Sequence, residues 1–377
     1  MPFPNEGSRP AEQLFALLAG GTIGAGSASA DDWDVLARSA RDHRLGPWLH
    51  EQCRDIERVP QTLRDQWADA HRDAALSALA HERTLLRIAD HLQRHGQTAI
   101  VLKGGWLAAH VYSHPALRPV RDLDLLLPNG EEVAVWERLQ ADGYALAERL
   151  ELPPKEWALQ FKHMPVLRSP DGVLVELHGR LWDEADAPPP PDGLFARAVA
   201  DRRHVALRAL SPADLLMHMA VHTIWAHRWD NGPLALIDWA LCLEKLEFDW
   251  PRIRERSERE GWARPLALML AATRRWLRAD IAMAGPLDVP RALVEAAGPA
   301  MVAPASARET DRSARRLTRA RTRPARSAVT RLRRLGHPVA AARWLTEQAS
   351  GWWQTRRDAA AWARLRANRR LEEWLAR

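Results

Sequence analysis

The segment DLDLLLP at residues 122–128 constrains the fold more than any other part of the sequence. It places Asp122 and Asp124 in a run of leucines that Pro128 ends, as is typical of a short β-strand. Side chains two apart on a strand project to the same face. The two aspartates therefore share a face with Leu126. The opposite face, directed into a core, consists of Leu123, Leu125 and Leu127.

The two neighbouring carboxylates indicate a cation site, because they repel each other unless a cation neutralises them. Oxygen ligands with room for water suit Mg²⁺, which also takes substrate phosphates as ligands. A third carboxylate is predicted in VLVELHGRL, residues 173–181, where Glu176 interrupts an apolar strand and shares a face with His178. If the two strands are neighbours, three carboxylates converge. Such a set can hold two metal ions about 3.5–4 Å apart.

A glycine pair precedes the aspartates. The apolar strand TAIVL runs into Lys103, Gly104 and Gly105, and the helical pattern WLAAHVYS follows. Glycines at such a turn let backbone N–H groups approach phosphate oxygens, and the helix N-terminus adds partial positive charge. Each pattern alone has a plain structural explanation, as a surface pair of aspartates or a simple turn. Their combination favours a metal–phosphate site.

The spacing of apolar residues divides the chain into regions. Two regions have helical spacing, and the region between them alternates short strands and helices, with a hairpin turn at Asp171-Gly172. A basic linker rich in Pro, Ala and Arg and a basic helix with tryptophans complete the chain. The predicted regions are N-terminal helical 1–95, core 96–205, C-terminal helical 206–284, linker 285–340 and final helix 341–377. The tryptophans of that helix are Trp344, Trp352, Trp353, Trp362 and Trp374.

Charge separates the last part of the chain from the rest. The formal net charge of +6 combines +13 in residues 301–377 with −7 in the first 300. Scattered arginines are typical of a solvated linker, and the last helix can equally pack on the protein itself. Nucleic acid or a membrane surface is therefore predicted as a partner only through this basic tail. Cys53 and Cys242 have no CxxC neighbours, and no apolar run reaches about 18 residues, which favours a cytoplasmic protein.

The strand, glycine pair, helix and DxD strand, followed by a later carboxylate, resemble the polymerase-β-type nucleotidyltransferase superfamily. More narrowly, LKGGWLA, DLDLLLP and VELHGRL resemble the bacterial branch called NTP_transf_5, the uncharacterised nucleotidyltransferases. The specific resemblance covers about residues 98–182. It implies an α+β fold: a small nucleotidyltransferase α/β core with a mixed sheet, flanked by N-terminal and C-terminal helical regions.

The resemblance also implies roles for individual residues. Gly104 and Gly105 are the nucleotide-binding turn, and Asp122 and Asp124 are the first two metal ligands. Glu176 stands where the branch more often has Asp, and its longer side chain is expected to reach a metal as the third ligand. Lys103 and Arg118 match the branch and are candidate phosphate contacts. Arg121, directly before Asp122, is atypical and receives no role.

The chemistry implied is transfer of a nucleoside monophosphate, with AMP favoured, from an NTP, preferably ATP. The acceptor is a hydroxyl or similar group on an unidentified small molecule, peptide or protein, and pyrophosphate leaves. Two Mg²⁺ ions, with Mn²⁺ as second choice, are the implied cofactors. His178 is a candidate to orient a ligand or accept a proton, with a structural histidine as the alternative. The resemblance also places His222 and Asp238 on the acceptor side.

Other interpretations compete with this one. His218 and His222, four residues apart in HMAVH, match the spacing of a zinc pair but lack the glutamate of HExxH, so packing in the helices is favoured. A DxD also occurs in glycosyltransferases that use nucleotide sugars, which the preceding glycine pair disfavours. A non-catalytic nucleotide-binding protein, regulatory or antitoxin-like, is the main alternative. The retained third carboxylate argues against it.

Overall fold

A computed structural model describes residues 9–21, 29–147, 150, 152–182, 188–281, 285, 287–305, 307–308 and 359–376. The helices are α1 Arg9–Leu18, α2 Ala30–Asp42, α3 Gly46–Cys53, α4 Gln61–Arg94, α5 Lys103–His110, α6 Glu132–Ala141, α7 Pro154–Gln160, α8 Leu194–Arg197, α9 Pro212–Val221, α10 Leu234–Lys245, α11 Trp250–Arg259, α12 Ala263–Leu277, α13 Arg291–Met301 and α14 Ala359–Leu375. A 3₁₀ turn spans Pro115–Leu117, and a π-helical turn spans His222–His227.

Seven short strands form one mixed sheet. They are β1 Ala99–Val101, β2 Asp122–Leu126, β3 Ala145–Leu146, β4 Leu167–Arg168, β5 Leu174–His178, β6 Val199–Ala200 and β7 Leu207–Ala209. Their order across the sheet is β3-β4-β5-β2-β1-β7-β6. The pairs β2–β5 and β1–β7 are parallel, and the other neighbours are antiparallel. The α+β fold with a mixed sheet and flanking helices is thereby confirmed.

The sheet separates two apolar cores. One core takes the strand residues Leu123, Leu125 and Leu177 together with the C-terminal half of α4 and with α6. The other core contains Leu126 and Ile100 from the opposite sheet face, packed among helices from both ends of the chain. The alternation along β2 therefore places the leucines as predicted. It also directs the aspartate face toward the larger, helical core.

Local signals explain where several elements begin. Ser211 caps α9 by accepting a hydrogen bond from the Asp214 amide, and Pro212 occupies the first turn, where its missing N–H costs nothing. The predicted hairpin is also present, because β4 and β5 pair antiparallel around Gly172, whose φ of +83° suits glycine.

Two expectations need correction. The strand before the glycine pair was expected to span about five residues, but β1 has three, and α5 begins at Lys103 rather than after the glycines. Residues 285–340 were predicted to be a linker, yet Arg291–Met301 is a helix whose Leu293, Ala297 and Met301 are buried. Burial of that apolar stripe outweighs the effect of Pro299 within the helix.

The final predicted helix is described only from Ala359, where α14 begins. Leu371 and Leu375 of α14 are buried in the larger core. Trp344, Trp352 and Trp353 lie outside the described residues, as does the side chain of Trp362. Within the described part of the chain, none of the helices combines the length and apolar character needed to cross a membrane.

Candidate active site

The parallel pairing of β2 with β5 brings the predicted carboxylates together. In this register Asp124 lies opposite Glu176, and Leu126 lies opposite His178. One ligand atom each from Asp124, Glu176 and His178 lie within 4.8 Å of one another, which among the described residues is the one cluster of this kind. Asp122 lies on the same strand face. The convergence of distant acidic residues required by the sequence-based hypothesis is therefore present.

Asp124 is the most tightly held member of the cluster. Its Oδ1 atom accepts hydrogen bonds from Lys103 Nζ and from His178 Nε2, both at 2.8 Å. Burial by itself would raise the pKa of Asp124, but Lys103 and His178 outweigh it and hold that pKa well below its usual range. The same contact raises the pKa of Lys103 despite the opposing effect of burial. Asp124 and Lys103 are thus a buried ion pair.

Glu176 lies at the more open edge of the cluster. Its Oε2 atom is 3.3 Å from His178 Nε2 and 3.9 Å from His163 Nε2. Burial raises its pKa and the hydrogen bond from His178 lowers it, with a net lowering. The glutamate side chain at position 176 therefore reaches the cluster. His163 is a neighbour that the sequence did not reveal, because it reaches His178 through an isolated antiparallel bridge outside the strands.

Asp122 has the opposite electrostatic surroundings. It is half-buried, and no hydrogen bond to its carboxylate is present among the described residues. Burial raises its pKa, and the negative charges of Asp124 and Glu176 raise it further. A carboxylate destabilised in this way gains from a nearby cation. The donor set and this repulsion together fit a divalent metal held by oxygen ligands.

Lys103 forms the turn between β1 and α5. Its φ of +45° is unusual for a residue with a side chain, and such strain is concentrated at functional sites. Gly104 and Gly105 therefore occupy the first turn of α5, whose N–H groups lack helical partners. A Cβ on Gly105 would lie 3.2 Å from Val101 Cγ1, so close packing on the sheet also favours glycine there.

Arg118 and Asp238 form a buried structural pair. Arg118 Nε and Nη2 donate to the two oxygens of Asp238 at 2.7 and 2.8 Å, and the Tyr112 hydroxyl donates to Oδ1 at 2.7 Å. The contact ties the loop before β2 to α10. The predicted phosphate contact of Arg118 and acceptor role of Asp238 stay predictions, and the structure shows both groups engaged with each other.

His218 and His222 lie in the helical wall that faces the cluster. His218 is 1% exposed, and neither ring nitrogen has a hydrogen-bond partner in the described structure. Burial lowers the pKa of both histidines, and the positive charge of Lys103 lowers both further. They are therefore neutral and close enough to the site to feel its charges. Their ring centroids are 5.7 Å apart, and among the residues that the structure describes no third ligand atom completes a metal-binding cluster with them.

Comparison with protein families identifies one match. A family model described as uncharacterised nucleotidyltransferase matches residues 29–278. The match runs from α2 to α12 and includes the whole sheet with its carboxylates. Searches of curated proteins and of solved structures returned no match. Since the matched segment covers about two thirds of the sequence, the chain belongs to the uncharacterised nucleotidyltransferase family.

Proposed function

We propose that this protein is a metal-dependent enzyme that transfers a nucleoside monophosphate, by preference AMP from ATP, to a hydroxyl or similar acceptor. The acceptor belongs to a small molecule, a peptide or a protein. Family membership supports nucleotidyl transfer as the general activity. The observation that carries the finer proposal is the register of β2 and β5, which sets Asp124 opposite Glu176 with Asp122 on the same face.

The metal would be held by Asp122, Asp124 and Glu176. Their oxygens match the preference of Mg²⁺, whereas a contribution from His178 would favour Mn²⁺. A bound divalent ion would polarise the reacting phosphate and neutralise charge on the triphosphate. His178 is fully buried, and its Nε2 atom is engaged by Asp124, so its contacts support an orienting role over proton transfer.

In the proposed reaction one bond to the α-phosphorus forms as another breaks. The acceptor oxygen forms a bond to the α-phosphorus while the bond from that phosphorus to the α–β bridging oxygen breaks. Pyrophosphate leaves with the electron pair, and the acceptor proton passes to solvent at the open Glu176 edge. The amides of the first turn of α5 are placed to donate to phosphate oxygens. Lys103 keeps Asp124 ionised and fixed in place.

The test is ATP-dependent release of pyrophosphate by the full chain in Mg²⁺, with radiolabelled ATP to detect any labelled acceptor or self-labelling. Asp122→Asn should abolish release, because it removes a metal ligand without stranding a buried partner. Asp73→Asn, an exposed aspartate on α4, is the matched control and should behave as wild type. Release by Asp122→Asn at the wild-type rate would refute the proposal. ATP binding without turnover on any acceptor would favour the non-catalytic alternative.

A further inference from the structure

The two cationic side chains that were predicted to bind phosphate each already form an ion pair within the protein. Lys103 donates to Asp124, and Arg118 is paired with Asp238 through two of its nitrogen atoms. A triphosphate in the proposed site would still need positive charge beyond that of the metal. This charge must come from other cationic side chains near Asp122 whose N–H groups are still able to donate.

Arg44, from the loop between α2 and α3, is the first such cation. Its Nη1 atom donates at 3.4 Å to the carbonyl oxygen of Pro119, which also accepts from Arg118 Nη1 at 3.0 Å. Two guanidinium groups thus share one neutral acceptor. Arg44 also has a strained left-handed backbone, with φ of +56°. No other hydrogen bond of its side chain is present among the described residues.

Arg121 is the second cation. It is exposed and lies directly before Asp122, and within the described part of the chain its guanidinium has no hydrogen bond or ion pair. Burial lowers the pKa of Arg44 to about 10, and the positive charges of Arg121 and Arg118 contribute next. Three arginines are therefore crowded together, and their crowding is only partly relieved by Asp122 and Asp238. Such an excess of like charge is typical of a site that receives an anion.

We infer that Arg44 and Arg121 form an anion subsite beside Asp122 that binds the terminal phosphates of the nucleotide, those that leave as pyrophosphate. This inference rests on the proposed function. Arg118, which shares the Pro119 carbonyl with Arg44, packs against the first turn of α5, because a Cβ on Gly104 would lie 3.3 Å from its Nη1 atom. The Glu176 edge, in contrast, is bordered by His163 and His178. The polyphosphate therefore belongs at the Asp122 end and the acceptor at the Glu176 end.

The charges of the site complement those of a complex of Mg²⁺ with a triphosphate. When a cation binds the carboxylates, Asp122 no longer compensates Arg44 and Arg121, so these arginines attract an anion more strongly. A complex of Mg²⁺ with a triphosphate supplies the cation and the anion together. The N-terminal helical region thereby contributes a ligand-binding side chain to a site whose other groups come from the sheet and its loops.

The experiment compares binding of ATP, inorganic tripolyphosphate and AMP to the full chain in Mg²⁺ by isothermal titration calorimetry. Arg44→Gln and Arg121→Gln should each weaken binding of ATP and tripolyphosphate about 10- to 100-fold, the range for a hydrogen bond between charged groups. Binding of AMP, which lacks the terminal phosphates, should change less than about threefold. Arg41→Gln, an exposed arginine at the end of α2, is the matched control.

The outcomes separate this inference from the proposed function. If wild type binds ATP and both arginine variants bind ATP equally well, the subsite is wrong while the proposed function stands. Equal losses for ATP and AMP would also overturn it, because the contact would then not involve the terminal phosphates. If wild type binds neither ATP nor tripolyphosphate, both proposals fail. Arg121→Gln alters only an exposed loop residue, so its result is informative even if Arg44→Gln folds poorly.

Discussion

Asp124 and Asp122 lie two residues apart on one strand face but have opposite surroundings. Asp124 is buried and accepts two hydrogen bonds from cationic or polar partners, which hold its pKa well below the usual range. Asp122 is half-buried, and burial together with two neighbouring carboxylates raises its pKa. The negative charge at the Asp124 end of the site is thus compensated by partners within the protein. The negative charge at the Asp122 end is not fully compensated.

The difference shows how one cluster of side chains can be held rigidly in place and still bind a metal. Neutralising every carboxylate internally would leave nothing for a metal to stabilise, whereas leaving all of them bare would destabilise the fold. Here Lys103 and His178 fix the position of Asp124. Asp122 is left to gain from a ligand, and the arginines beside it are left to gain from an anion.

Substitution of Asp124 should reduce the stability of the fold more than any other change considered. Asp124→Asn should lower the free energy of unfolding by about 3–5 kcal/mol, because it leaves the buried Lys103 ammonium without its charge partner. Urea denaturation of the metal-free protein measures this directly. A loss below about 1 kcal/mol would mean that Lys103 readily finds solvent, and the contrast between the two ends would disappear.

Metal binding tests the incomplete end. Adding Mg²⁺ to protein stripped with a chelator should raise the melting temperature, since a ligand at a hundred times its Kd contributes about 2.7 kcal/mol. The rise should be largely lost in Asp122→Asn and kept in the surface control Asp73→Asn. An equal rise in all three proteins would place the cation elsewhere.

Acid stability gives a prediction of intermediate size, through the buried His43. Burial and the charge of Arg308 lower the pKa of His43 to about 4. Between about pH 6.5 and 4 the unfolded chain therefore binds a proton that the folded chain does not, and stability falls as pH falls through this window. Between pH 7 and pH 5 the loss due to His43 is about 2 kcal/mol.

Denaturation curves at pH 7 and pH 5 for wild type and His43→Gln check this expectation. Other buried histidines contribute to the slope in both proteins, so the difference between the two slopes isolates His43. A slope that is unchanged in the variant would show that His43 is protonated as easily in the folded state as in the unfolded state.

Asp122→Asn should have the smallest effect on the stability of the fold. Removing a charge that its neighbours oppose should change the free energy of unfolding by less than about 1 kcal/mol, with any change favouring the variant in the absence of metal. The same substitution should abolish pyrophosphate release. A large destabilisation would reveal a structural partner for Asp122 and would weaken the comparison with Asp124.

Local patterns predicted most of the sheet that carries the site. The leucine and aspartate alternation, the glycine pair and the Asp171-Gly172 hairpin each depend on a few neighbouring residues. The length of β1, the start of α5 at Lys103 and the helix Arg291–Met301 were not predicted, because packing rather than local preference decides them. The division into regions stays a prediction, since the larger core includes helices from both ends of the chain.

The amino-acid sequence alone specifies which side chains share a face, because a strand alternates its side chains whatever it packs against. It thereby placed Asp122 with Asp124 and Glu176 with His178. Only in the folded protein are β2 and β5 parallel neighbours, does Asp238 engage Arg118, and does Arg44 donate to the Pro119 carbonyl. These contacts join residues far apart in the chain, and burial and charge compensation across the whole fold select them. No local pattern encodes that selection.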